Sequence, residues 1–362
     1  MIADLGIAFA RVAFVMLFVL NTAAILGWVE RKQSAIMQDR IGANRASIFG
    51  LRVLGLFHPL ADTLKMLTKE DFRPAHADRL LFVLAPFVSV FFALVAFASI
   101  PFGDTLRIGD RAIPLQAVTL NVGVLYVFAM LSLGVYGVMM AGWSSANNFA
   151  LLGGQRAAAL MLSAEIAIGA SIMGVIMVYG SLNLMEIVRG QGALLWGWLP
   201  KWGIVTQPLA FLLFLTAGIA ATKRIPFDTP EGESEIIGYF LEYSGMKFGM
   251  FLMTDMVETT VIAGLCTSLF LGGWQVPYLM ADGFHWPWGS IVALSALTVT
   301  VLQVGAFVTK VACMIFFLML IRWTLPRFRY DQAMRLGWLA LFPLSILNIV
   351  MTGVVLLAVR PS

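Results

Sequence analysis

The chain has 362 residues, of which 60% are hydrophobic and only 12% are charged, and its formal net charge is +4. Soluble domains carry about 25% charged residues, so this composition excludes a soluble protein and indicates an integral membrane protein. The positive charge does not predict a nucleic-acid partner, because the Lys and Arg residues lie between apolar spans, where they set membrane topology.

Eight apolar segments are long enough to form transmembrane helices, since crossing a hydrocarbon core of about 30 Å takes about 20 residues of α-helix. We predict these helices at residues 5–29, 79–101, 119–143, 156–180, 206–222, 246–271, 290–321 and 336–359. The predicted fold is therefore an all-α integral membrane protein, a single polytopic membrane domain over residues 1–362.

The distribution of basic residues predicts the orientation. Seventeen of the 24 Lys and Arg residues lie in or next to the segments 30–78, 144–156, 223–247 and 322–335, whereas six lie on the opposite side. Basic loops remain in the cytoplasm, so we expect these four segments on the cytoplasmic side and both termini on the other side. This predicts a multi-pass protein of the bacterial inner membrane.

The first cytoplasmic segment, 30–78, contains a second kind of helix. Leucines recur near the helical period over residues 49–70, with charges between them. This pattern is typical of an amphipathic helix at the membrane surface or beneath a docked partner, and Pro59 is expected to kink it. Just before it, Glu30 and Arg31 end the first span; taken alone, they favour an ordinary positive-inside anchor.

Among the ionisable residues inside predicted spans, four are candidate functional groups, because a charge there costs a few kcal/mol and usually faces water or a partner. Glu165 lies about nine residues into the fourth predicted helix, roughly 13 Å from its cytoplasmic end. Asp255 and Glu258 are three residues apart, so they share a helix face and, as like charges, are candidates to share a proton. Lys310 lies mid-span and is expected to pair with a carboxylate. Structural ion pairs are the alternative interpretation.

The segment 223–247 concentrates acidic residues. It holds five of the chain's 20 acids within sixteen positions, with apolar residues between them: Asp228, Glu231, Glu233, Glu235 and Glu242. Carboxylates held in partly dry surroundings titrate nearer neutral pH, so we interpret this loop, with the acids inside the spans, as a proton-handling system.

Redox centres are not expected in this chain. Its two cysteines, Cys266 and Cys313, both lie in apolar spans, and an iron–sulfur cluster normally takes four thiolate ligands. The three histidines occupy polar segments and form no facing pair for a haem, so no metal or covalently bound cofactor is expected.

Five stretches, taken in chain order, closely resemble the H-type membrane subunit of bacterial proton-pumping NADH:quinone oxidoreductase (respiratory complex I), which corresponds to subunit 1 in mitochondria. They are ERKQSAIMQDRIGANR, HPLADTLKMLTKE, AGWSSANNFALLGGQRAA, IPFDTPEGESEIIGYFLEYSGMKFG and PRFRYDQAMRLGW. The resemblance covers nearly the whole chain. It implies a subunit that joins the membrane arm to the hydrophilic arm and forms the membrane entrance of the quinone chamber.

The resemblance assigns roles residue by residue. It places at the quinone chamber Glu30, Arg31, Asp62, Lys65, Arg224, Asp228, Leu252 and Met253. It places on the proton relay Glu165, Glu231, Glu233, Glu235, Glu242, Asp255 and Glu258. Quinone is then the substrate, and it enters laterally between the first and sixth helices and the surface helix. The implied partners are soluble subunits with the terminal iron–sulfur cluster and quinone headgroup site, the small and antiporter-like membrane subunits, and membrane lipid.

The chain departs from the family pattern at several positions. The family often has an acid three residues before the Arg that matches Arg224, where this chain has Ala221. The stretch between Glu235 and Glu242 is one residue shorter than in many relatives, and Asp255 stands where a Glu is common. Glu258, one turn beyond Asp255, is the candidate to compensate for the missing acid. Two other functions remain open: the membrane subunit of a hydrogenase-type complex, and a stand-alone secondary ion transporter.

Overall fold

The computed structural model describes residues 2–108, 111–195, 198–230, 232, 238–280, 282–286 and 291–359. Within these ranges, seven helical segments are long and apolar enough to cross a membrane. They are α1 (Ile2–Met37), α3 (Arg79–Ala96), α4 (Gly123–Ser144), α5 (Asn148–Tyr179), α9 (Gly245–Phe270), α10 (Ala296–Thr324) and α11 with α12 (Tyr330–Arg335 and Phe342–Val359), which the π-helical stretch Leu336–Leu341 joins. The prediction of an all-α membrane protein is confirmed.

The remaining predicted span, residues 206–222, is a shorter helix. It forms α8 (Pro208–Ala221), whose 14 residues follow the short helix α7 (Gly203–Thr206). An α-helix of this length extends about 21 Å, less than a hydrocarbon core of about 30 Å. That this segment crosses the membrane therefore stays a prediction.

The connections hold short elements. The helices are α2 (His58–Thr68) and α6 (Leu184–Gly190), and the strands are β1 (Thr105–Ile108), β2 (Arg111–Pro114), β3 (Leu194–Leu195), β4 (Leu199–Pro200), β5 (Leu279–Met280), β6 (Gly283–His285) and β7 (Ile291–Ala293). Each pair of neighbouring strands is antiparallel, in the orders β1-β2, β3-β4 and β5-β6-β7. The sheets β1-β2 and β3-β4 lie in connections assigned by the sequence to the non-cytoplasmic side. In the third sheet, β7 occupies the first residues of the span predicted at 290–321, because α10 begins only at Ala296.

Two helices are longer than predicted, and local capping explains one of them. Asn147 accepts a hydrogen bond from the backbone N–H of Phe149 at 2.9 Å and so begins α5 at Asn148, eight residues earlier than expected. Glu165 consequently lies about 26 Å along this helix rather than about 13 Å. At the other end of the molecule, α1 continues to Met37 and carries Glu30 and Arg31 inside its last two turns.

The surface helix is present, but its predicted kink is wrong. Pro59 lies in the first turn of α2, where a helix tolerates proline because the N–H it lacks would have no partner there. The helix is only 11 residues long, and none of its residues is buried. Its end meets the start of α9, where the Lys247 ammonium lies 2.8 Å from an Asp71 carboxylate oxygen.

Helix α9 forms the centre of the bundle. It packs against α1, α2, α3, α6, α8 and α10, and most of its residues are buried. Close packing elsewhere depends on glycine, because a Cβ atom at Gly137 on α4 would lie 2.7 Å from the backbone nitrogen of Ser89 on α3. Asp255 and Glu258 of α9 are both buried within this bundle.

Candidate functional site

The two acids of α9 share a buried cation. The Lys223 Nζ atom lies 3.0 Å from Asp255 Oδ1 and 3.3 Å from Glu258 Oε2, and all three side chains are at least nine-tenths buried. As the sequence predicts, Asp255 and Glu258 lie on one face of the helix. Lys223, which contacts both, was not predicted. We call these three residues the lysine cluster.

The turn after α8 places Lys223 in the cluster. The chain leaves the helix at Ala221, and Lys223 adopts a left-handed backbone conformation with φ +55°, which is uncommon for a residue with a side chain. Its ammonium group also lies 6.0 Å from the centre of the Tyr239 ring. Burial by itself lowers the pKa of Lys223, but the carboxylates of Asp255 and Glu258 more than offset this effect. The pKa therefore lies well above its ordinary value, and Lys223 stays charged.

Glu165 is connected to this cluster through a small cavity. The cavity has a volume of about 20 Å³ and is lined by Glu165, Glu258, Ala221 and Thr222 among others. A polar cavity of about 10–15 Å³ or more is large enough for one water molecule. The Ser132 hydroxyl donates a hydrogen bond of 2.7 Å to Glu165 on the far side. Ala221 thus leaves room between two carboxylates.

A second group of charges lies at the ends of α1 and α10. The Glu30 carboxylate contacts the Arg322 guanidinium and lies 3.5 Å from Arg224 Nη1. Arg224 also donates to the sulfur of Met256 on α9, at 2.9 Å. We call Glu30, Arg224 and Arg322 the arginine cluster. It joins α1, α9 and α10 to the loop after α8.

A second cavity lies beside the arginine cluster. It measures about 10 Å³, and its walls include Arg224, Arg322, Thr222 and Thr259. Thr222 also lines the cavity beside Glu165, so this one side chain contacts both spaces. Thr222 therefore lies between a cavity lined by Arg224 and Arg322 and a cavity lined by Glu258 and Glu165.

Asp228 lies beside this series. Its carboxylate accepts a hydrogen bond of 2.9 Å from Arg327, in the segment that follows α10. Burial raises the pKa of Asp228 above its usual range, and the nearby Arg327 only partly offsets this effect. The negative charge of Asp255 acts in the same direction as burial, which links Asp228 to the lysine cluster.

The other predicted chamber residues are less buried. Arg31 forms an ion pair of 2.6 Å with Asp62, which connects α1 to α2, and Lys65 is exposed on α2. Leu252 and Met253 are partly buried on α9, and Met253 packs against the core. The predicted chamber residues thus divide into a largely buried group, Glu30, Arg224 and Asp228, and a more exposed group at the surface helix.

The acidic loop is described only in part. Glu231, Glu233 and Glu235 lie outside the described residues. Glu242 accepts a hydrogen bond of 2.7 Å from Asn147, just before α5. Next to it, Tyr243 stacks on Phe82 with ring centres 4.0 Å apart. The end of the loop is therefore held against the starts of α3 and α5.

The expectation of a carboxylate partner for Lys310 is wrong. Its ammonium group donates to the backbone carbonyls of Leu271, Gly273 and Gln275, at 2.8, 3.0 and 2.6 Å, and lies 4.5 Å from the Trp202 ring centre. Carbonyl groups beyond a helix carry partial negative charge, so they hold a cation without a carboxylate. Lys310 closes the end of α9 and lies apart from the acidic series.

An apolar groove lies between α1 and α10. Its cavity has a volume of about 250 Å³, with Val29 next to Glu30 at one end of its wall. A metal site is not evident: across the described ranges, no three His, Cys, Asp or Glu side chains come together as one would require. The site offers proton-binding groups and an apolar access route.

Besides Lys223, the sequence did not predict three further residues of the site: Arg322, Arg327 and Thr222. Each lies at a helix end that looks like an ordinary positive-inside or polar terminus. The one sequence signal for Lys223 is its position directly before Arg224, two residues after an apolar helix.

Comparison with known proteins gives a consistent result over the whole chain. A family model described as NADH dehydrogenase matches residues 10–353. A protein of Geobacter metallireducens, named as an H-type subunit of NADH-quinone oxidoreductase, is 43% identical over 355 residues, which cover 98% of each chain. A protein of Thermomicrobium roseum named as the same subunit is 44% identical, over 95% of this chain and 94% of its own. A protein of Cytophaga hutchinsonii, again named as this subunit, is 44% identical over 91% of each chain.

Proposed function

Because this chain belongs to the NADH dehydrogenase family, whose relatives are named as subunits of NADH-quinone oxidoreductase, we propose that it couples quinone reduction to proton movement in such a complex. In this proposal the chain forms the membrane entrance of the quinone chamber. Its acidic residues form the relay that leads from the chamber into the membrane arm. The chain itself carries no redox centre, and the electrons come from a neighbouring soluble subunit.

One observation carries the proposal. The arginine cluster, the lysine cluster and Glu165 form a series linked by two cavities of about 10 and 20 Å³, both lined by Thr222. Ionisable groups are expensive inside a membrane and are usually retained for a function. Groups this close, with room for water between them, support proton transfer better than isolated structural ion pairs would.

The arginine cluster is the input of the relay. Reduced quinone needs two protons, and until they arrive its headgroup carries negative charge. At an effective dielectric constant of about 20, a unit charge about 10 Å away changes the energy of an ionised group by about 1.7 kcal/mol, or about one pKa unit. Such a charge competes with Glu30 for Arg224 and Arg322. Glu30 is then left without its partners and becomes a proton acceptor.

The lysine cluster is the switch. Lys223 contacts two carboxylates but neutralises only one negative charge, so the cluster as a whole carries one charge too many for a dry site. A proton on Glu258 leaves Lys223 paired with Asp255, whereas a proton on Asp255 leaves it paired with Glu258. Transfer of that proton through the cavity to Glu165 moves charge toward α5.

Quinone access follows the groove between α1 and α10. The sequence predicts a lateral opening between the first and sixth predicted spans, which correspond to α1 and α9, and the surface helix. The observed cavity of about 250 Å³ lies instead between α1 and α10, which is the seventh predicted span. Its walls are apolar, as an isoprenoid tail requires, and Thr22 is its one hydroxyl residue. The headgroup would leave the membrane beside Glu30 and Gln33, at the end of α1.

The assembly around the chain follows from this role. Soluble subunits with the terminal iron–sulfur cluster would dock on the face that carries α2 and the loop after α8. The small and antiporter-like membrane subunits would contact the bundle, in the inner membrane of a bacterium. Both statements extend to this chain what the family resemblance of its sequence implies, whereas the names of its relatives say that they are subunits of NADH-quinone oxidoreductase.

Neutral substitutions in the relay test the proposal. We expect Glu165→Gln and Glu258→Gln to depress quinone reduction and proton pumping in membrane vesicles at least severalfold. NADH oxidation by an artificial acceptor such as ferricyanide should be unchanged, because it bypasses the quinone chamber.

The control is Glu186→Gln. Glu186 is exposed on α6 and accepts a hydrogen bond from Ser181, away from both clusters. Normal quinone turnover and pumping in both relay variants would disprove the proposal, whereas a defect in the control would point to a general loss of assembly.

A further inference from the structure

A second, larger cavity lies in the groove between α1 and α10, nearer the start of both helices. Its volume is about 490 Å³, within the range of about 300–1,000 Å³ that is typical of ligand-binding pockets. Phe102 separates it from the proposed quinone groove, because its ring packs edge-on against Phe14 and Phe18 with centres 5.2 and 4.9 Å apart. The proposed function does not use this cavity.

Two polar residues interrupt its apolar wall. The Nε atom of Arg11 is buried without a hydrogen-bond partner, and no ion pair of Arg11 occurs within the described part of the chain. Gln116 is 3% exposed; its Nε2 donates to the Val118 carbonyl at 3.0 Å, while its Oε1 has no donor among the described residues. Among the described residues, the Arg11 guanidinium in this cavity thus has no anionic partner, and the buried Gln116 Oε1 has no hydrogen-bond donor.

The cavity lies near the membrane boundary. Thr300 and Val301 in its wall belong to the first two turns of α10, about 6–8 Å from Ala296. Near a membrane boundary, arginine side chains generally extend their aliphatic stem along apolar surface and their guanidinium toward the headgroup layer. The loop after β2 contributes Gln116 at the same level.

We propose that this cavity binds a phospholipid of the leaflet in which α1 and α10 begin. One acyl chain fills the apolar cavity, the phosphate pairs with Arg11, and a hydroxyl or ammonium group of the headgroup donates to Gln116. An oxidised quinone fits less well, because its headgroup has only acceptors and no negative charge. A helix of a neighbouring subunit is about 10 Å across, so about one turn of it would fill the volume.

A photoreactive side chain identifies the occupant. Val301 lines the cavity and is 61% exposed, so a diazirine residue at this position reaches whatever occupies the groove. The intact complex is irradiated in its native membrane, and the mass of the adduct is measured. We expect a phospholipid adduct. After lipid exchange, phosphatidylglycerol, which has hydroxyl donors, should label the site more than phosphatidylcholine, which has none.

Variants test the two contacts. Arg11→Gln should reduce the phospholipid adduct about tenfold, as expected when a charge-assisted hydrogen bond is lost. Ala10→Trp should block labelling by filling the cavity, and Leu5→Trp, on the same helix but 74% exposed and outside the cavity wall, is the matched control.

The chain that carries the diazirine residue at position 301 and keeps Arg11 identifies the occupant of the cavity through its adduct, even if a variant fails to assemble. A peptide of another subunit or a quinone in the adduct would overturn the proposal. So would equal labelling by both lipids, or an assembled Arg11→Gln variant that labels as strongly as the native chain.

Discussion

Replacing Lys223 by methionine removes the positive charge from a site that holds two carboxylates. The ammonium lies 3.0 Å from Asp255 and 3.3 Å from Glu258 and is itself fully buried. Methionine keeps most of the volume of the side chain, so the change is mainly electrostatic. We expect the loss to disturb both assembly of the complex and quinone turnover.

The size of the effect follows from these distances. At an effective dielectric constant of about 20, each contact contributes about 5 kcal/mol of Coulomb energy. The protein limits its loss by taking up a proton, and protonating a carboxyl of ordinary pKa about 3.9 at pH 7 costs about 4 kcal/mol. We therefore expect a net destabilisation of about 3–4 kcal/mol, in line with other buried ion pairs that lose one partner.

A double variant separates charge from function. With both carboxyl groups ionised, the charges of the cluster are +1, −1 and −1, which sum to −1. Lys223→Met alone leaves −2, whereas Lys223→Met with Glu258→Gln returns the sum to −1. We expect the double variant to assemble better than Lys223→Met but to remain defective in pumping, because Glu258 is needed for the relay.

Three measurements on membranes check this prediction: the amount of assembled complex, NADH–ferricyanide activity, and quinone-dependent proton pumping. The reasoning is refuted if Lys223→Met assembles and pumps normally. It is also refuted if the double variant assembles no better than the single one, since the damage would then not depend on net charge.

Three further predictions concern the rest of the bundle. Lys310→Met should lower the yield of assembled complex on a native gel, because three carbonyls at the end of α9 lose their donor, which destabilises the fold by about 2–4 kcal/mol. Gly137→Ala should destabilise the contact with α3 by about 1–3 kcal/mol in thermal unfolding, because its Cβ would lie 2.7 Å from Ser89. Gly169→Ala, with nothing within 4 Å, should be neutral or stabilising, and a loss there would contradict this packing argument. Because burial raises the pKa of Asp228, its protonated carboxyl group contributes to the stability of the fold at low pH. This stabilisation is lost as pH rises through the pKa of Asp228 in the folded state. The stability of the native complex relative to Asp228→Asn should therefore fall with rising pH in thermal assays, and an unchanged difference would count against burial as the cause.

Much of the fold was predictable because the membrane acts on each helix separately. A run of about 20 apolar residues is stable in lipid whatever surrounds it, so hydropathy located seven long helices and the shorter α8. The helical period placed the surface helix and put Asp255 and Glu258 on one face, since both depend on residues only three or four positions apart. Helix ends were less predictable, because a single cap such as Asn147 moved the start of α5 by eight residues.

The pairing of charges was decided only by the tertiary structure. Lys223 reaches residues 32 and 35 positions away, Glu30 meets Arg322 nearly 300 positions later, and Lys310 turned out to bind carbonyls instead of an acid. Such contacts depend on which helices are neighbours, how each is rotated and where each ends, and periodicity within one helix carries none of this information. The sequence by itself determined that several charges lie within the membrane domain. Packing around α9 decided which of them neutralise one another and where space for water remains between them.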